Sequence, residues 1–356
     1  MRISDRRAGV TLRQVAEEAG VSIAAVSKVL HGRGDSVRVG EERAQAIRKV
    51  AERLNYVPNL SARQLRTNRT NTVGLLFENF GEISAGPQYY VHLLDGVASE
   101  LFSRHYRLTI LPEFDHHAPL QSLADGRVDG LIWCKLPGTP SFLDQFREFS
   151  LPCVALNAPP PQAAADGKVA FVSCDNNAGS WLVINHLVEL GHRRILFALE
   201  RREEDTPDAR ARLQGFFAAC HQHGIWVGEE DVVTWSTDAQ EFPAWWNQRT
   251  GHTAIYAWNE RLGAEILRAA DRIELRIPDQ LSVVGFDSTQ YCETTIPRLT
   301  AVNQPIREMS QYAAKILLDQ IEGGSAERYS VIFPCTLDVR DSTAIAPRPH
   351  SIGELH

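Results

Sequence analysis

The sequence predicts a small all-helical head followed by a large α/β body, and three observations predict it. Residues 11–30 carry apolar side chains at helical spacing interrupted by one glycine, and the chain beyond Thr70 alternates strand-like and helix-like runs. Charge divides at the same place. Residues 1–70 hold 14 Lys and Arg against 7 Asp and Glu, net +7, while residues 71–356 hold 23 against 37, net −14. The overall charge of −7 hides this asymmetry. A basic head suits a polyanion, and an acidic body is repelled by one.

Within the head, Thr11 and Gln14 have the spacing of a capping box, so a helix is expected to start at Leu12. Leu12, Val15, Ala16 and Ala19 form its apolar stripe, Arg13, Gln14, Glu17 and Glu18 its wet side, and Gly20 ends it. Ser22 is a good cap for a second helix, with Val26, Val29 and Leu30 inward and Ala24, Ala25, Ser27 and Lys28 outward. A third helix is expected over residues 41–55, with Glu41 and Glu42 at its positive end. Two short helices around a tight turn have the form of a helix-turn-helix. Its second helix, with a small-residue outer face, can approach base edges closely, and Ser27 and Lys28 can donate to phosphate or guanine acceptors. The plain alternative for residues 11–30 alone is an ordinary helical hairpin.

The pattern T-L-x-x-V-A-x-x-A-G-V-S-x-x-x-V-S-x-V-L, followed by Asn55-Tyr56-Val57-Pro58-Asn59 and Ala62-Arg63-x-Leu65-Arg66, resembles the LacI/GalR family of bacterial transcription regulators. The resemblance implies a dimer that reads DNA with the second helix in the major groove and a short hinge helix, residues 60–65, in the minor groove. By the same resemblance Thr11, Ser22, Ile23, Ala24, Ala25, Ser27, Lys28, Asn59, Ala62, Arg63, Leu65 and Arg66 are the DNA-binding residues. Leu65 would be the wedge that kinks the duplex; its bland alternative is a linker residue. A six-residue helix is unstable alone, so it should form only on DNA and against its partner. The chain departs from the family in two places. Gly40 stands where Ser or Thr caps the third helix, and Lys28 stands where many relatives carry Arg, replacing a planar fork by a point charge.

About 285 residues follow Thr70, more than one core normally holds. Strands are expected over 72–77, 107–111, 128–133, 153–156, 169–173, 195–199, 254–258 and 281–286, and helices over 90–103, 180–190, 211–223, 263–270 and 306–321. Apolar strands alternating with amphipathic helices give parallel sheets covered on both faces, which bind ligands at the carboxyl ends of their strands. The resemblance implies two Rossmann-like lobes of periplasmic-binding-protein type joined by three crossovers, one at 303–305. The expected division is a helix-turn-helix domain (8–58), a hinge and linker (59–71), an effector-binding and dimerisation domain (72–345) and a tail (346–356). Lobe one would take about 72–173 and 305–333, and lobe two 174–304 and 334–345.

Strand ends nominate the effector site. Glu78 and Asn79 follow the first strand, and Tyr89 and Tyr90 open the first helix of the body. Arg212, in R-L-Q-G-F, resembles the family arginine that reaches effector from a helix start; Asn259 and Asp287 end strands, and Trp235 follows V-V-T in a loop. Arg, Asn and Asp for paired hydroxyls, with Trp or Tyr for a ring face, suit a sugar. The alternatives are a structural ion pair for Arg212 and Asp287 and core positions for Trp235 and Tyr89. Glu260 replaces the Asp common in the family after Asn259, leaving the local hydrogen bonds open. Cys174, beside Asp175 at a helix start, is a weaker candidate for which a buried apolar role is favoured.

No catalytic or cofactor pattern competes. His116-His117 and His221-x-His223 lack Cys or acidic partners at ligand spacing, the six Cys show no C-x-x-C, and no Walker loop, G-x-S-x-G or G-x-G-x-x-G is present. No metal, no cofactor and no enzymatic activity are expected. Residues 1–30 lack a signal-peptide core and no run reaches membrane-spanning length, so a cytoplasmic protein is expected, in accord with dispersed thiols. The tail STAIAPRPHSIGELH has no heptad leucines, and no tetramerising coil is expected. The committed reading is a homodimeric transcriptional regulator, with repression favoured, acting on double-stranded operator DNA under control of a sugar or sugar derivative. A purine-responsive regulator is the alternative, a solute-binding or sugar-processing protein a remoter one, and induction against corepression stays open.

Overall fold

The computed structural model describes residues 10–31, 38–57, 69–77, 88–112, 114–115, 117–136, 140–158, 160, 169–200, 206–235, 242–247, 251–324 and 330–347. The chain divides into two compact units, Met1–Thr70 and Asn71–His356.

In the first unit, α1 (Leu12–Ala19), α2 (Ile23–His31) and α3 (Glu41–Arg53) enclose a core of Val15, Ala16, Ala25, Val26, Ile47 and Ala51. Both halves of the capping box form: Gln14 N–H donates to Thr11 Oγ1 (3.3 Å), and Thr11 N–H donates to Gln14 Oε1 (2.8 Å). Gly20 adopts φ +61°, which glycine takes without strain, and its N–H closes the last turn of α1. Ser22 Oγ accepts the Ala25 N–H (3.2 Å) and so caps α2. The third helix stops at Arg53, two residues before the expected end, because Asn55 turns the backbone to φ +50°. Ala25 is not outward. It is 8% exposed, since it lies one turn before Val29 and therefore on the stripe that meets the core.

The second unit contains two six-stranded sheets. Lobe one orders its strands β11 (Ser330–Phe333), β5 (Val169–Cys174), β4 (Cys153–Leu156), β3 (Gly130–Cys134), β1 (Thr72–Phe77) and β2 (Arg107–Ile110), all parallel. Lobe two orders β12 (Thr336–Asp338), β10 (Thr300–Asn303), β9 (Ser282–Asp287), β8 (Ala254–Ala257), β6 (Ile195–Glu200) and β7 (Val232–Trp235). Only β12 runs antiparallel there, pairing Val302 with Leu337. The chain crosses between lobes three times, after β5, β10 and β11. The long helices are α4 (Tyr89–Ser103), α5 (Asn176–Glu189), α6 (Pro207–Gln222), α7 (Glu260–Arg272) and α8 (Ile306–Ile321). Strands β1, β3, β4, β5, β6, β8 and β9 are buried almost throughout, as sheets covered on both faces require. No helix among the described residues is long and apolar enough to cross a membrane.

One packing contact governs the functional face of lobe two. A methyl group on Gly215 of α6 would stand 2.7 Å from the Asn177 carbonyl oxygen and 2.8 Å from Ser180 Cβ, so α6 and α5 touch backbone to backbone only because this residue is glycine. Ser180 reinforces the approach. Its hydroxyl donates to the Arg212 carbonyl (2.8 Å) and lies 2.9 Å from the Tyr256 hydroxyl.

Candidate functional site

On the head, the surface of α2 is small and nearly uncharged. Ser22, Ile23 and Ala24 are exposed, Ile23 at 48%, and Ser27 and Lys28 are half-buried. Thr11 is exposed, with its hydroxyl held by Gln14. Ala25 is lost to the core, and the exposed strip therefore starts at the cap, the position from which a recognition helix meets base edges. The hinge candidates Asn59, Ala62, Arg63, Leu65 and Arg66 lie outside the described residues, as do Glu78 and Asn79.

In the body, a cleft at the carboxyl ends of the strands is lined from lobe one by Tyr89, Tyr90 and Lys135 and from lobe two by Glu200, Asp208, Arg212, Trp258, Asn259, Arg261 and Asp287. Its free space, open solvent included, is about 430 Å³, of which a water-sized sphere's centre can occupy only about 60 Å³. Five of the candidates named from sequence therefore meet: Tyr89, Tyr90, Arg212, Asn259 and Asp287. Two do not. Trp235 ends β7 as a buried strand residue packed on Phe242 (ring centroids 5.5 Å apart), because V-V-T-W pairs in parallel with β6 and is no loop. Cys174 ends β5 inside the core and does not line the cleft.

Arg212 organises the lobe-two wall. It lies in the second turn of α6, and its guanidinium donates to Asn176 Oδ1 (2.9 Å), the Trp258 carbonyl (2.5 Å) and Asp287 Oδ1 (3.4 Å). The guanidinium also lies 3.6 Å from the centre of the Phe286 ring. The structural ion pair weighed as an alternative thus exists, and it sits in the cleft wall. Asp287 occupies φ +88°, outside ordinary strand geometry, and is held there by Gln304, whose Nε2 donates to Oδ1 (2.6 Å). The next residue, Ser288, is tied to Asp338 of β12 (2.7 Å), which also takes Asn303 Nδ2 (3.0 Å). Strain of this kind persists when neighbours over-determine it, and it clusters at ligand sites.

Burial raises the Asp287 pKa, with Arg212 and Gln304 pulling it back. Burial would raise Asp208 likewise, but Lys135 (3.8 Å) and Arg212 (4.0 Å) outweigh it and hold that carboxyl below its usual value. Tyr89 is pushed well above the ordinary phenol pKa, chiefly by burial, and remains an O–H donor. Lys135 from lobe one lies 4.9 Å over the Trp258 ring, so the two walls meet there. Tyr89 Oη, Asp208 Oδ1 and Trp258 Nε1 are buried and have no hydrogen-bond partner among the described residues. Buried polar atoms are normally satisfied, and three orphans around one cleft mark where a hydroxyl-bearing ligand would bond.

Asn259 spends its side chain on its own helix, Oδ1 accepting the Leu262 N–H (2.8 Å). The longer Glu260 that follows is fully buried and turns away from the cleft, its carboxylate accepting the Thr289 N–H (2.8 Å) and hydroxyl (2.7 Å). Burial, with Asp287 nearby, raises its pKa to about 7. Sequence reasoning missed Lys135, Glu200, Asp208, Trp258 and Arg261. Trp258 was within reach, since it directly precedes Asn259 at the same strand end.

A DNA-reading head joined to a two-lobed body with a preorganised cleft at its strand ends defines a ligand-responsive DNA-binding regulator. Residues 11–59 match the model of bacterial regulatory proteins of the lacI family, and residues 184–343 match a periplasmic binding protein-like domain. The transcriptional regulator CelR of Thermobifida fusca is 30% identical over 346 residues, covering 95% of this chain and 99% of that protein. The repressor PurR of Pectobacterium carotovorum is 28% identical over 348 residues, covering 95% and 98%. The solved complex of CelR with cellobiose superposes with a TM-score of 0.68 at 28% identity over 94% of this chain and 99% of that one. The lac repressor dimer on its operator shares the fold at a TM-score of 0.78 and 24% identity, covering 95% and 100%. The chain belongs to the LacI family and is a DNA-binding transcriptional regulator.

Proposed function

We propose that the protein is a homodimeric cytoplasmic repressor whose affinity for a pseudo-palindromic operator is set by a neutral sugar bound between the lobes. The observation that carries the effector class is the combination of three orphaned polar atoms with a charge-balanced wall. Lys135, Arg212 and Arg261 stand against Glu200, Asp208 and Asp287; Arg261 is paired with both Glu200 and Glu265. An anionic effector such as a sugar phosphate would have to break pairs already made in a desolvated site, which is costly. A polyol asks only for the donors and acceptors that remain, with Trp258 and Tyr90 offering ring faces. That CelR is solved with cellobiose supports the reading.

On this proposal Ser22, Ile23, Ala24, Ser27 and Lys28 face the major groove, and Leu65 wedges the minor groove from the hinge. Effector binding changes the lobe angle and hence whether paired hinge helices can form, with reciprocal coupling between effector and operator. A thermal-shift screen of neutral sugars, sugar phosphates and purines tests the effector. A shift with sugars alone supports the proposal. A shift with purines alone replaces it by a purine-responsive regulator of the same fold. Leu65→Ala should weaken specific operator binding while effector binding stays intact; equal operator affinity would remove the wedge.

A further inference from the structure

Two of the six free cysteines belong to the lobe crossings. Cys174 is the last residue of β5, where the chain first leaves lobe one, and Cys335 lies between β11 and β12, where it leaves for the last time. The parallel pairing of β11 with β5 sets Phe333 beside Cys174, and Asp175 N–H donates to the Phe333 carbonyl (2.9 Å), so the two exits run side by side. Cys335 Sγ donates to the Asp175 carbonyl oxygen (3.6 Å), one residue beyond Cys174, and Cys335 is the first cause of the raised Cys174 pKa. The other four cysteines, Cys134, Cys153, Cys220 and Cys292, are fully buried in the lobes.

We propose that Cys174 and Cys335 form a reversible disulfide that fastens the first lobe crossing to the third and makes the regulator responsive to thiol oxidants. The co-reactant is a low-molecular-weight disulfide. The thiolate of half-buried Cys335 attacks one of its sulfurs and expels one small thiolate, leaving a mixed disulfide. Cys174, deprotonated, then attacks the Cys335 sulfur and expels the second. In balance, two protein thiols are oxidised to one S–S bond, one small disulfide is reduced to two thiols, and both protons pass to the released thiolates. Cys335 and burial hold the Cys174 thiol well above its ordinary pKa, so Cys335 attacks the oxidant first and ring closure by Cys174 is the slower step. In a reducing compartment such a bond is transient, as a sensor requires. Its effect is local to the effector wall, because Asn176, two residues from Cys174, holds Arg212 Nε.

The test uses the full-length protein incubated with oxidised glutathione. Denatured thiol titration should fall from six to four, and a peptide linking Cys174 to Cys335 should appear under non-reducing conditions. The bond closes a loop of some 160 residues. It should raise Tm by roughly 5 °C or more, reversed by dithiothreitol. Cys335→Ser should keep the reduced protein's Tm and lose both the link and the rise. Six remaining thiols, a glutathione adduct on Cys335 that never resolves, or linkage of any other pair would overturn the proposal. A correct link that leaves Tm unmoved would overturn the fastening.

Discussion

The two walls of the cleft are built on opposite plans. Lobe two presents a buried lattice in which Arg212, Asn176, Asp287, Gln304 and the Trp258 carbonyl hold one another. Among the described residues lobe one contributes Tyr89, Tyr90 and Lys135, and Lys135 reaches across the cleft to Trp258 and Asp208. On the proposed function, the difference assigns orientation of the effector to lobe two and closure upon it to lobe one. A hydrogen-bonded wall fixes the orientation of a ligand without a further ordering cost.

The largest test of that division is Arg212→Ala, which leaves Asp287 and Asp208 buried beside no guanidinium. It should cost about 3–5 kcal/mol of body stability, seen as a lowered urea midpoint, and abolish the effector response. A retained response would show that the lattice is scaffolding only. Gly215→Ala should follow at about 1–3 kcal/mol, because α6 must move off α5 and carry Arg212 with it. Its diagnostic is weaker effector binding from a residue that touches no ligand; unchanged affinity would place the rigid wall elsewhere. Lys135→Ala, on the lobe-one wall, should cost less stability than Arg212→Ala, because Arg212 still faces Asp208, and weaken effector binding about tenfold, or about 1.4 kcal/mol. Loss of stability comparable to Arg212→Ala would erase the contrast between the walls.

The smallest effect is read by pH, and it concerns how lobe two is pinned. His192 is buried between Thr253 Oγ1 (2.8 Å) and the Ala344 carbonyl (3.1 Å), so Nε2 carries the proton and Nδ1 accepts. Burial lowers its pKa to about 4. A histidine depressed in the folded state contributes stability that is present above its unfolded pKa of about 6.5 and lost as pH falls toward 4. Between pH 7 and 5.5 this amounts to about 1 kcal/mol, measurable as the change in the pH dependence of the urea midpoint between the protein and its His192→Gln variant. Glu260 acts in the opposite sense, since a carboxyl raised to about 7 contributes stability that is lost as pH rises through that value.

The elements read best from sequence were the long or fully buried ones. Strands Thr72–Phe77 and Cys153–Leu156 and the helix Ile306–Ile321 fall where the apolar pattern put them, because burial on both faces leaves one reading open. Three of the four short edge strands escaped, while Arg107–Ile110 was read. Val232–Trp235, Ser330–Phe333 and Thr336–Asp338 have at most four residues and one sheet neighbour each, too little periodicity to distinguish them from loops. Thr300–Asn303 was read in part as crossover, which it directly precedes. The cleft was half legible for a related reason. Strand ends pointed to Arg212, Asn259 and Asp287, but Lys135 and Asp208 come together only through the crossings, and no local pattern announces a contact between residues 73 positions apart. On the head, Ala25 was misassigned because alanine carries too little apolar signal to reveal which side of a helix it occupies.

The late strands also dictate when the protein can exist at all. Lobe one is flanked by β11 and lobe two by β12, both drawn from Ser330–Asp338, and Ser342 Oγ bonds the Thr300 N–H (2.8 Å) and the Val283 carbonyl (2.6 Å) of lobe two. During synthesis at about 5–20 residues per second, both sheets wait with an open edge until this stretch leaves the ribosome. The DNA-reading head, whose core needs nothing beyond Tyr56, is finished far earlier. Each chain thus emerges able to fold the part that reads the genome well before the part that listens to the metabolite.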